Sequence, residues 1–486
     1  MDASPDSAYR PVPPVRRAVV LGASMAGMLA AAVLAEHADE VLVLDRDELP
    51  PGPAPRTGLP QAHHVHLLWS GGVRVIEAIA PGLTRAWLDA GARQVDMPAD
   101  LVLLTPHGWV RRGPACQFQL ACSRDLLDAT ARAVLLTGPR VRVRTGVHAE
   151  GILRTGTGAR TAVRGVRVRE LATGAAEEVP AALVVDATGR GSRAPEWLDR
   201  IGLPRVREES VDPGLVYASR LYRAPDGAAG FPAVGIQADP GRPVPGRMAT
   251  LLPVEGGRWL VTLAGTRGAE PTREAAEFEA FARTARHPLV ADLIADAEPL
   301  SEVRLSRSCS NRRRYFERLR PWPAGFVVLG DAAAAFNPVY GQGMTVAAQS
   351  AAVLRRALRA HGLCAPRLAR TVQRGVGRVV EVPWSITTGQ DIRFPGATGR
   401  PAPLAARLTH GYVDRLSRTA ISSEEALRAL FDVMSLAEPP TRLFRPRTVR
   451  AVLAGPAGPP PAGPPLTAAE RSVGRQTVVG APGPAE

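Results

Sequence analysis

The chain has 486 residues, of which 45% are hydrophobic and 22% are charged, as is typical of a folded globular protein of more than one domain. This composition excludes a wholly disordered chain, a collagen-like chain and a coiled coil. The formal net charge of +14 comes from 60 basic residues, all of them arginine. Because these arginines are scattered, with Arg312–Arg314 as the densest run, we interpret the charge as compositional bias and expect no nucleic-acid partner.

The cysteines and the apolar stretches indicate where the protein resides. No CxxC pair occurs among the four cysteines, which are Cys116, Cys122, Cys309 and Cys364. They predict no disulfide scaffold and no zinc site, and they fit a reducing cytoplasm. The uncharged stretch Ala18–Ala35 is interrupted by glycines, and no later stretch is long and apolar enough to cross a bilayer. We therefore expect a cytoplasmic protein with no membrane span.

The chain opens with the pattern of a dinucleotide-binding βαβ unit. A short apolar strand, Ala18–Leu21, is followed by the turn Gly22–Gly27 and by an Ala/Leu-rich helix, Ala26–Glu36. A second buried strand, Val41–Leu44, ends at Asp45, about 20 residues after the turn, where an acid binds a ribose diol.

Each residue of this turn has a physical role. Gly22 permits the tight turn, and Gly27 permits close packing of the helix against the strand. Ser24 replaces the middle glycine of GxGxxG with a small residue that can hydrogen-bond a phosphate. The free N–H groups at the helix start attract anions, so the unit predicts a site for a dinucleotide.

The middle of the chain predicts strands and one helix. Val141–Arg144 and Val163–Arg169 alternate apolar and polar residues, which favours half-buried antiparallel strands, and Leu183–Asp186 is a buried strand. Further strands are predicted at Leu215–Tyr222, Ala233–Gln237, Met248–Pro253 and Trp259–Leu263. A helix is predicted over Thr272–Ala297, with core candidates Phe278, Phe281, Leu289 and Leu293.

A second ligand-binding pattern lies near residue 330. A buried strand, Phe326–Leu329, runs into Asp331, and Gly341-Gln342-Gly343 opens a long helix, Met344–Ala360. Glycines at a helix N-terminus expose backbone donors and allow a flat ligand to approach closely. The carboxylate at the strand end can accept hydrogen bonds from hydroxyl groups. The pattern therefore predicts a site for a polar ligand.

This segment resembles the GD motif of single-component FAD-dependent monooxygenases of the aromatic-hydroxylase type. The stretch Val184–Arg193 resembles the family's middle motif, with Thr188-Gly189 in place of Asp-Gly. The resemblance implies that Asp331 holds the ribityl chain of FAD and that the start of the following helix lines the isoalloxazine ring. With the opening unit, it implies a cofactor site formed by Gly22, Ser24, Met25, Ala26, Gly27, Asp45, Arg46, Arg56, Arg124, Asp331, Pro338, Gly341, Gln342, Gly343 and Met344.

The resemblance also implies the fold. We expect an α/β protein with a Rossmann-like FAD-binding domain of the glutathione-reductase and aromatic-hydroxylase type, an interleaved mixed or antiparallel substrate sheet, and a C-terminal helical segment. The predicted divisions are a flexible arm (1–15), the FAD-binding domain (16–205 and 300–365), the substrate domain (206–299), a helical region (366–452, with helix over His410–Ala437) and a Pro/Gly-rich disordered tail (453–486).

A narrower resemblance is to the polyene epoxidases of polyether-ionophore pathways of the monensin and lasalocid type. It is carried by Gly58–Gly72, Gln117–Arg124 and Asn337–Gln349. It implies a flavin C4a-hydroperoxide, formed with O2 and NADPH or NADH, that epoxidises an apolar polyketide polyene in antibiotic biosynthesis. Four alternatives are an aromatic hydroxylase of a polyketide, a prenyl-chain reductase of the same fold, a flavin-dependent halogenase, whose usual WxWxIP segment is missing here, and a flavin-binding protein without catalysis.

Two groups of residues allow two interpretations each. His63, His64 and His66 could begin a metal site, but no further ligands are evident in the sequence, so we favour a loop that packs near the cofactor, with no bound metal. Four aromatic residues could line an apolar substrate cavity or belong to the core: Trp69, Phe336, Tyr340 and Trp384. No catalytic side chain is assigned, because the chemistry would be centred on the flavin.

Overall fold

The computed structural model describes residues 16–158, 161–307, 309–401 and 404–476. The predicted arm (1–15) and the last ten residues of the predicted tail lie outside the described residues. No helix within the described ranges is both long enough and apolar enough to span a bilayer.

The strands, in chain order, are β1 (Arg17–Leu21), β2 (Glu40–Leu44), β3 (Leu68–Trp69), β4 (Arg93–Met97), β5 (Leu101–Thr105), β6 (Gly108–Trp109), β7 (Gln117–Ala121), β8 (Val141–Arg144), β9 (Val147–Thr155), β10 (Ala162–Glu170), β11 (Ala176–Pro180), β12 (Leu183–Asp186), β13 (Glu208–Asp212), β14 (Val216–Arg223), β15 (Ala233–Ile236), β16 (Arg247–Val254), β17 (Arg258–Gly265), β18 (Arg304–Ser306), β19 (Asn311–Arg314), β20 (Phe326–Val328), β21 (Ala334–Ala335) and β22 (Thr398–Gly399). The helices are α1 (Met25–Ala35), α2 (Ser70–Ile79), α3 (Leu83–Asp89), α4 (Arg124–Leu135), α5 (Ala194–Arg200), α6 (Ala275–Arg283), α7 (Leu289–Ile294), α8 (Gly343–His361), α9 (Leu368–Asp391), α10 (Leu404–Ala420), α11 (Glu424–Met434), α12 (Pro446–Ala454) and α13 (Ala468–Gln476).

A parallel sheet in the order β20-β12-β1-β2-β8 forms the first layer of the fold. Its central strands are fully buried, which explains their continuous Val/Leu runs. Helix α1 packs against α8, and α8 packs against α9. Because the carboxyl ends of parallel strands meet at one edge, the segments that follow β1, β2, β12 and β20 lie side by side there. The predicted fold class, an α/β FAD-binding fold with further sheets and C-terminal helices, is confirmed.

A mixed sheet in the order β18-β14-β17-β16-β15-β5-β6 forms the second layer. Its core packs against α6 and α7 through Phe278, Val290 and Leu293. Strands β5 and β6 join this sheet from within the range 16–205, which the sequence alone assigns to the FAD-binding domain. The local sequence carries no information about the partner of a strand, so the pairing of β5 with β15 could not be predicted.

Two predicted elements differ from the structure. Val141–Arg144 pairs in parallel with β2, not antiparallel, and forms the edge of the first sheet. Its alternation reflects the exposure of an edge strand and does not report strand direction. The single helix predicted over Thr272–Ala297 is two helices, α6 and α7, with Pro288 between them. A proline lacks the N–H that helix continuation requires, and it also disfavours a helical conformation of the preceding residue.

The C-terminal segment is more ordered than its composition suggests. Disorder is expected from residue 453, but α13 packs beside the second sheet and buries Val473. Arg112 binds both carboxylate oxygens of Glu470, at 2.8 and 2.6 Å, and the guanidinium of Arg111 donates to the carbonyl of Pro459. Contacts from the distant β6–β7 loop therefore order a segment that has few core-forming residues of its own.

Candidate active site

A cavity of about 440 Å³ runs along the carboxyl edge of the parallel sheet and reaches the second sheet. We call the part next to the β1–α1 turn the turn end; it is lined by Gly22, Ser24, Asp45 and Arg56 among others. We call the part next to the second sheet the sheet end; its lining includes His64, Leu67, Tyr217, Cys309 and Phe336.

The turn end is built from the β1–α1 turn. Gly22 has a φ of +96°, and a Cβ there would lie 2.6 Å from the carbonyl oxygen of Ala187. A Cβ on Gly27 would lie 1.8 Å from the carbonyl oxygen of Gly22, so both positions require glycine. Ser24 is the N-cap of α1, and its buried Oγ has no hydrogen-bond partner among the described residues. A helix start with free donors and an unpaired hydroxyl is suited to an anion such as pyrophosphate.

Asp45 stabilises the β1–α1 turn by hydrogen bonds and also lines the cavity. Its Oδ2 accepts from the backbone N–H of Ala23 at 2.6 Å and from Arg56 Nη2 at 2.9 Å, and its Oδ1 accepts from the N–H of Asp47 at 2.9 Å. Arg56 also donates to the carbonyl of Ala23 at 3.2 Å. Arg46 lies at the mouth of the cavity with 64% of its side chain exposed.

Asp331 lies beyond the end of β20, against the start of α8. It lines the cavity and accepts no hydrogen bond from the described residues. Burial raises the pKa of Asp331, while the positive charges of Arg190 and Arg124 lower it. A Cβ on Gly343 would meet only Asp331 Oδ1, at 3.7 Å, so the space in front of the helix start is open.

The geometry of these groups can be compared with the needs of FAD. The unpaired Ser24 hydroxyl, the unpaired Asp331 carboxylate and the open space at Gly343 match the needs of a pyrophosphate, a polyhydroxyl chain and a flat ring, respectively. All the predicted cofactor residues line this cavity except Gly27, which packs α1 against the turn, and Gln342, whose Nε2 donates to the carbonyl of Met434 at 3.0 Å. The residues therefore fit FAD.

The predicted substrate-binding aromatics are in different places. Phe336 lines the cavity. The indole N–H of Trp69 donates to the carbonyl of Tyr340 at 3.0 Å, and the Tyr340 hydroxyl donates to Asp391 at 2.8 Å. Trp384 is partly buried against the main core. Of these four, only Phe336 is a lining residue of the described cavity.

The histidine loop reaches the cavity through two of its three histidines. His64 and His66 line it, and His63 does not. His64 Nδ1 lies 2.8 Å from Ser219 Oγ, and His66 Nδ1 donates to the carbonyl of His64 at 2.8 Å. Burial lowers the pKa of His64 to about 4 and that of His66 to about 3, so both are neutral at pH 7.

A buried network behind the loop that precedes α8 was not predicted. Asp391, at the end of α9, accepts from Asn311 Nδ2 at 2.7 Å, from Asn337 Nδ2 at 2.8 Å and from the Tyr340 hydroxyl. The Tyr217 hydroxyl donates to Asn337 Oδ1 at 3.2 Å. Asn311 and Asn337 are the only asparagines in the chain. The rarity of asparagine in this chain is the sequence feature from which the network could have been predicted.

Comparison with known proteins agrees with this geometry. The sequence profile of a family described as FAD binding domain matches residues 16–362. Protein Rv3254 of Mycobacterium tuberculosis is 33% identical over 408 residues, which cover 80% of this chain and 83% of that protein. A kynurenine 3-monooxygenase of Salinispora arenicola is 28% identical over 362 residues, covering 71% and 73%. The crystal structure of PqsL, a probable FAD-dependent monooxygenase from Pseudomonas aeruginosa, has the same fold, with a TM-score of 0.55 and 18% identity, covering 78% of this chain and 97% of PqsL.

Proposed function

We propose a reaction for this chain, which belongs to the FAD-binding domain family of aromatic-hydroxylase-type flavin monooxygenases. In this proposal the protein epoxidises alkenes of an apolar polyketide polyene. NADPH or NADH and O2 are the co-substrates in this proposal. When bound, FAD would supply the redox chemistry that activates O2 for transfer of one oxygen atom. The residues of the chain would bind the cofactor, orient the alkene and exclude water.

The cofactor would be held by groups that are already in place. The N–H groups at the start of α1 and the Ser24 hydroxyl would bind the pyrophosphate, and Asp45 would bind the ribose of the adenosine. Asp331 would accept hydrogen bonds from the ribityl chain. Gly343 and Met344, at the start of α8, would lie beside the ring, where the helix dipole favours negative charge on the reduced cofactor.

The observation that carries the proposal is that, among the described residues, no carboxylate lines the sheet end, so this end offers no strong general base. The carboxylates among the described lining residues, Asp45, Asp47 and Asp331, all belong to segments that follow strands of the parallel sheet. Burial raises the pKa of Tyr217 well above its usual value, so Tyr217 stays protonated.

Two further titratable groups at the sheet end, Cys309 and His64, are poor bases at pH 7. Burial raises the pKa of the Cys309 thiol to about 12, so the thiol stays protonated. The pKa of His64 is about 4, so proton transfer to it from a phenol of pKa about 10 would cost about 8 kcal/mol. An alkene needs no deprotonation before it accepts an oxygen atom. The lining of the sheet end therefore suits an alkene better than a phenol.

The narrower resemblance contributes residues along the whole cavity, from Gly58 beside Asp47 near the turn end to His64 at the sheet end. Seven residues of the Gly58–Gly72 stretch line the cavity: Gly58, Leu59, Gln61, His64, Val65, His66 and Leu67. The Gln117–Arg124 stretch contributes Arg124 alone; Gln117 instead donates to Asp432 at 2.6 Å. The Asn337–Gln349 stretch contributes six more lining residues around the start of α8: Asn337, Pro338, Gly341, Gly343, Met344 and Ala347. Support from this resemblance therefore rests on the histidine loop and on the start of α8.

A second cleft offers a route for the reductant. It has a volume of about 470 Å³ and shares His148, Arg193 and Trp197 with the cavity. Among the described residues, neither Arg193 nor Arg200, which also lines it, has an ion-pair partner. Unpaired guanidinium groups suit the phosphates of NADPH or NADH.

The relatives named kynurenine 3-monooxygenase favour a second candidate, hydroxylation of an aromatic ring. One experiment separates the candidates. The FAD-loaded enzyme is given NAD(P)H, 18O2 and a linear polyene with trisubstituted alkenes, and products are analysed by mass spectrometry. We expect labelled epoxides, and none when NAD(P)H is omitted. Labelled phenols from an aromatic substrate would support the hydroxylase, and saturated products without label would support the reductase. A flavoprotein without substrate-dependent O2 uptake would refute both oxygenase functions.

A further inference from the structure

A chain of buried hydrogen bonds leads from the second sheet to His64. The backbone N–H of Val65 donates to Thr262 Oγ1 at 3.0 Å, and Thr262 Oγ1 lies 2.6 Å from Ser219 Oγ. Ser219 Oγ in turn lies 2.8 Å from His64 Nδ1. Ser219, Thr262 and His64 are 1%, 6% and 4% exposed, so the chain is shielded from bulk water.

The number of available acceptors sets the direction of these bonds. If Thr262 donates to Ser219 and Ser219 donates to His64 Nδ1, both hydroxyl protons have acceptors. If the direction is reversed, the Thr262 proton has no acceptor among the described residues. The first direction instead leaves His64 Nε2–H without a protein partner, but His64 lines the cavity, where a ligand can supply an acceptor, whereas Thr262 does not line it. A buried donor that no ligand can reach is the costlier one to leave unpaired, so the first direction is favoured. His64 Nδ1 is then an acceptor, and the proton of the neutral ring resides on Nε2.

His64 Nε2 is the free end of this chain. It is buried and has no hydrogen-bond partner among the described residues, although His64 lines the cavity. Repulsion from His63 adds to the effect of burial in lowering the pKa of His64, so the ring carries one N–H and no charge at pH 7. The partner missing for this N–H is an acceptor that enters the cavity.

We propose that His64 is a specificity-determining residue that donates a hydrogen bond from Nε2 to an uncharged oxygen of the substrate, such as a ketone or ester carbonyl. Ser219 and Thr262 are positioning residues that fix the tautomer of His64. The identity of the ligand as substrate rests on the proposed function, whereas the tautomer does not. A polyene that carries a carbonyl near the reacting alkene would thus bind better than its hydrocarbon counterpart.

The first test measures specificity. Two probes are used, a long-chain polyunsaturated ketone and the same chain with a methylene in place of the carbonyl. We expect the wild-type enzyme to have a KM about tenfold lower for the ketone, with little difference in kcat. His64→Leu should abolish this preference, and His64→Gln, which keeps a donor, should restore part of it. Ser219→Ala and Thr262→Val should weaken the preference, while Thr250→Val, the same change on the adjacent strand, should not. A preference retained in His64→Leu would overturn the proposal.

The second test does not depend on turnover. The FAD-loaded protein is labelled with 15N-histidine, and the His64 signal is assigned by its loss in His64→Gln. Long-range 1H–15N spectra at pH 7 should show the Nε2–H tautomer, and addition of the ketone should shift its Nε2–H resonance. An Nδ1–H tautomer, or no response to the ketone, would overturn the proposal. If the spectra agree but no substrate gains labelled oxygen, the proposed function fails and the assignment of His64 as a donor stands.

Discussion

The two ends of the cavity are built by different means. At the turn end, the groups that face a ligand are the backbone donors of the β1–α1 turn, the Ser24 hydroxyl and the Asp45 carboxylate. The turn itself is held by backbone, because the N–H of Gly22 donates to the carbonyl of Leu44 at 2.7 Å and a Cβ on Gly22 or Gly27 would clash with backbone oxygens. At the sheet end, the groups are side chains that bind one another from distant parts of the sequence, as His64 and Ser219 do across 155 positions and Asn337 and Asp391 across 54. A site made of backbone is disrupted when a substitution adds a Cβ to one of its glycines. A site made of hydrogen-bonded side chains is disrupted when a substitution removes one of those side chains.

The strongest test of this difference is removal of Asp391. Asp391→Ala leaves three buried donors without their acceptor, those of Asn311, Asn337 and Tyr340. Each unpaired buried donor costs about 1–3 kcal/mol, so we expect the free energy of unfolding of the apoprotein, measured in urea, to fall by at least about 3 kcal/mol. Ser385→Ala, on the exposed face of the same helix, is the control and should change little. A loss below about 1 kcal/mol would show that the network contributes little.

The next largest effect is the pH dependence that His64 imposes. Its folded-state pKa of about 4 lies below its unfolded value of about 6.5, so the unfolded chain binds more protons between these pH values. The contribution of neutral His64 to stability is therefore complete above about pH 6.5 and is lost as pH falls toward 4. We expect a loss of about 3 kcal/mol over this window.

This prediction is measured as a difference, because other groups titrate in the same range. Urea unfolding of the wild type and of His64→Gln is compared at each pH from 7 to 4. The free-energy difference between the two proteins should stay constant above pH 6.5 and change by about 1.4 kcal/mol per pH unit below it. If the free energies of unfolding of the two proteins change in parallel from pH 7 to pH 4, the pKa of His64 is not lowered in the folded state.

Replacing Asp331 should have a smaller effect, and the effect should differ in sign between the stability of the apoprotein and its affinity for FAD. Its carboxylate has no donor among the described residues, so Asp331→Ala should leave the apoprotein as stable as the wild type or stabilise it. The same change should weaken FAD binding by about 1.5–3 kcal/mol, because hydroxyl groups would lose a charged acceptor. Asp331→Asn, which keeps one acceptor oxygen, should bind FAD with an affinity between those of the wild type and Asp331→Ala. Fluorescence titration of FAD into the apoproteins measures this, and unchanged affinity in Asp331→Ala would remove the residue from the cofactor site.

The same difference explains what the sequence could and could not predict. The turn end follows from contiguous patterns such as Gly22–Gly27 and Asp45. The resemblance carried by the segment around Asp331 implies the family and the fold class, and both are confirmed. The sheet end unites His64, Ser219 and Asp391, which no local pattern connects. Periodicity reports burial and turn propensity, but it does not report which distant segment supplies a partner.

The smallest expected effect distinguishes two glycines two residues apart. Gly341 has a φ of +64°, and a Cβ there would lie 2.9 Å from Leu67 Cβ and 3.0 Å from Trp69 Nε1. Gly341→Ala should therefore destabilise the apoprotein by about 1–2 kcal/mol, through the left-handed backbone and these contacts.

Gly343 begins α8 and has open space where a Cβ would lie. Gly343→Ala should leave the apoprotein unchanged or stabilise it by up to about 1 kcal/mol, because alanine is favoured in a helix. If the cofactor ring lies against this residue, the same methyl group should weaken FAD binding, and Gly343→Val should weaken it further. Denaturation of the two apoproteins and FAD titration give four values, and the expected pattern is a stability loss at Gly341 and an affinity loss at Gly343. Full FAD affinity in Gly343→Val would mean that the ring does not approach the start of α8, and the orientation of the cofactor in the cavity would have to be revised.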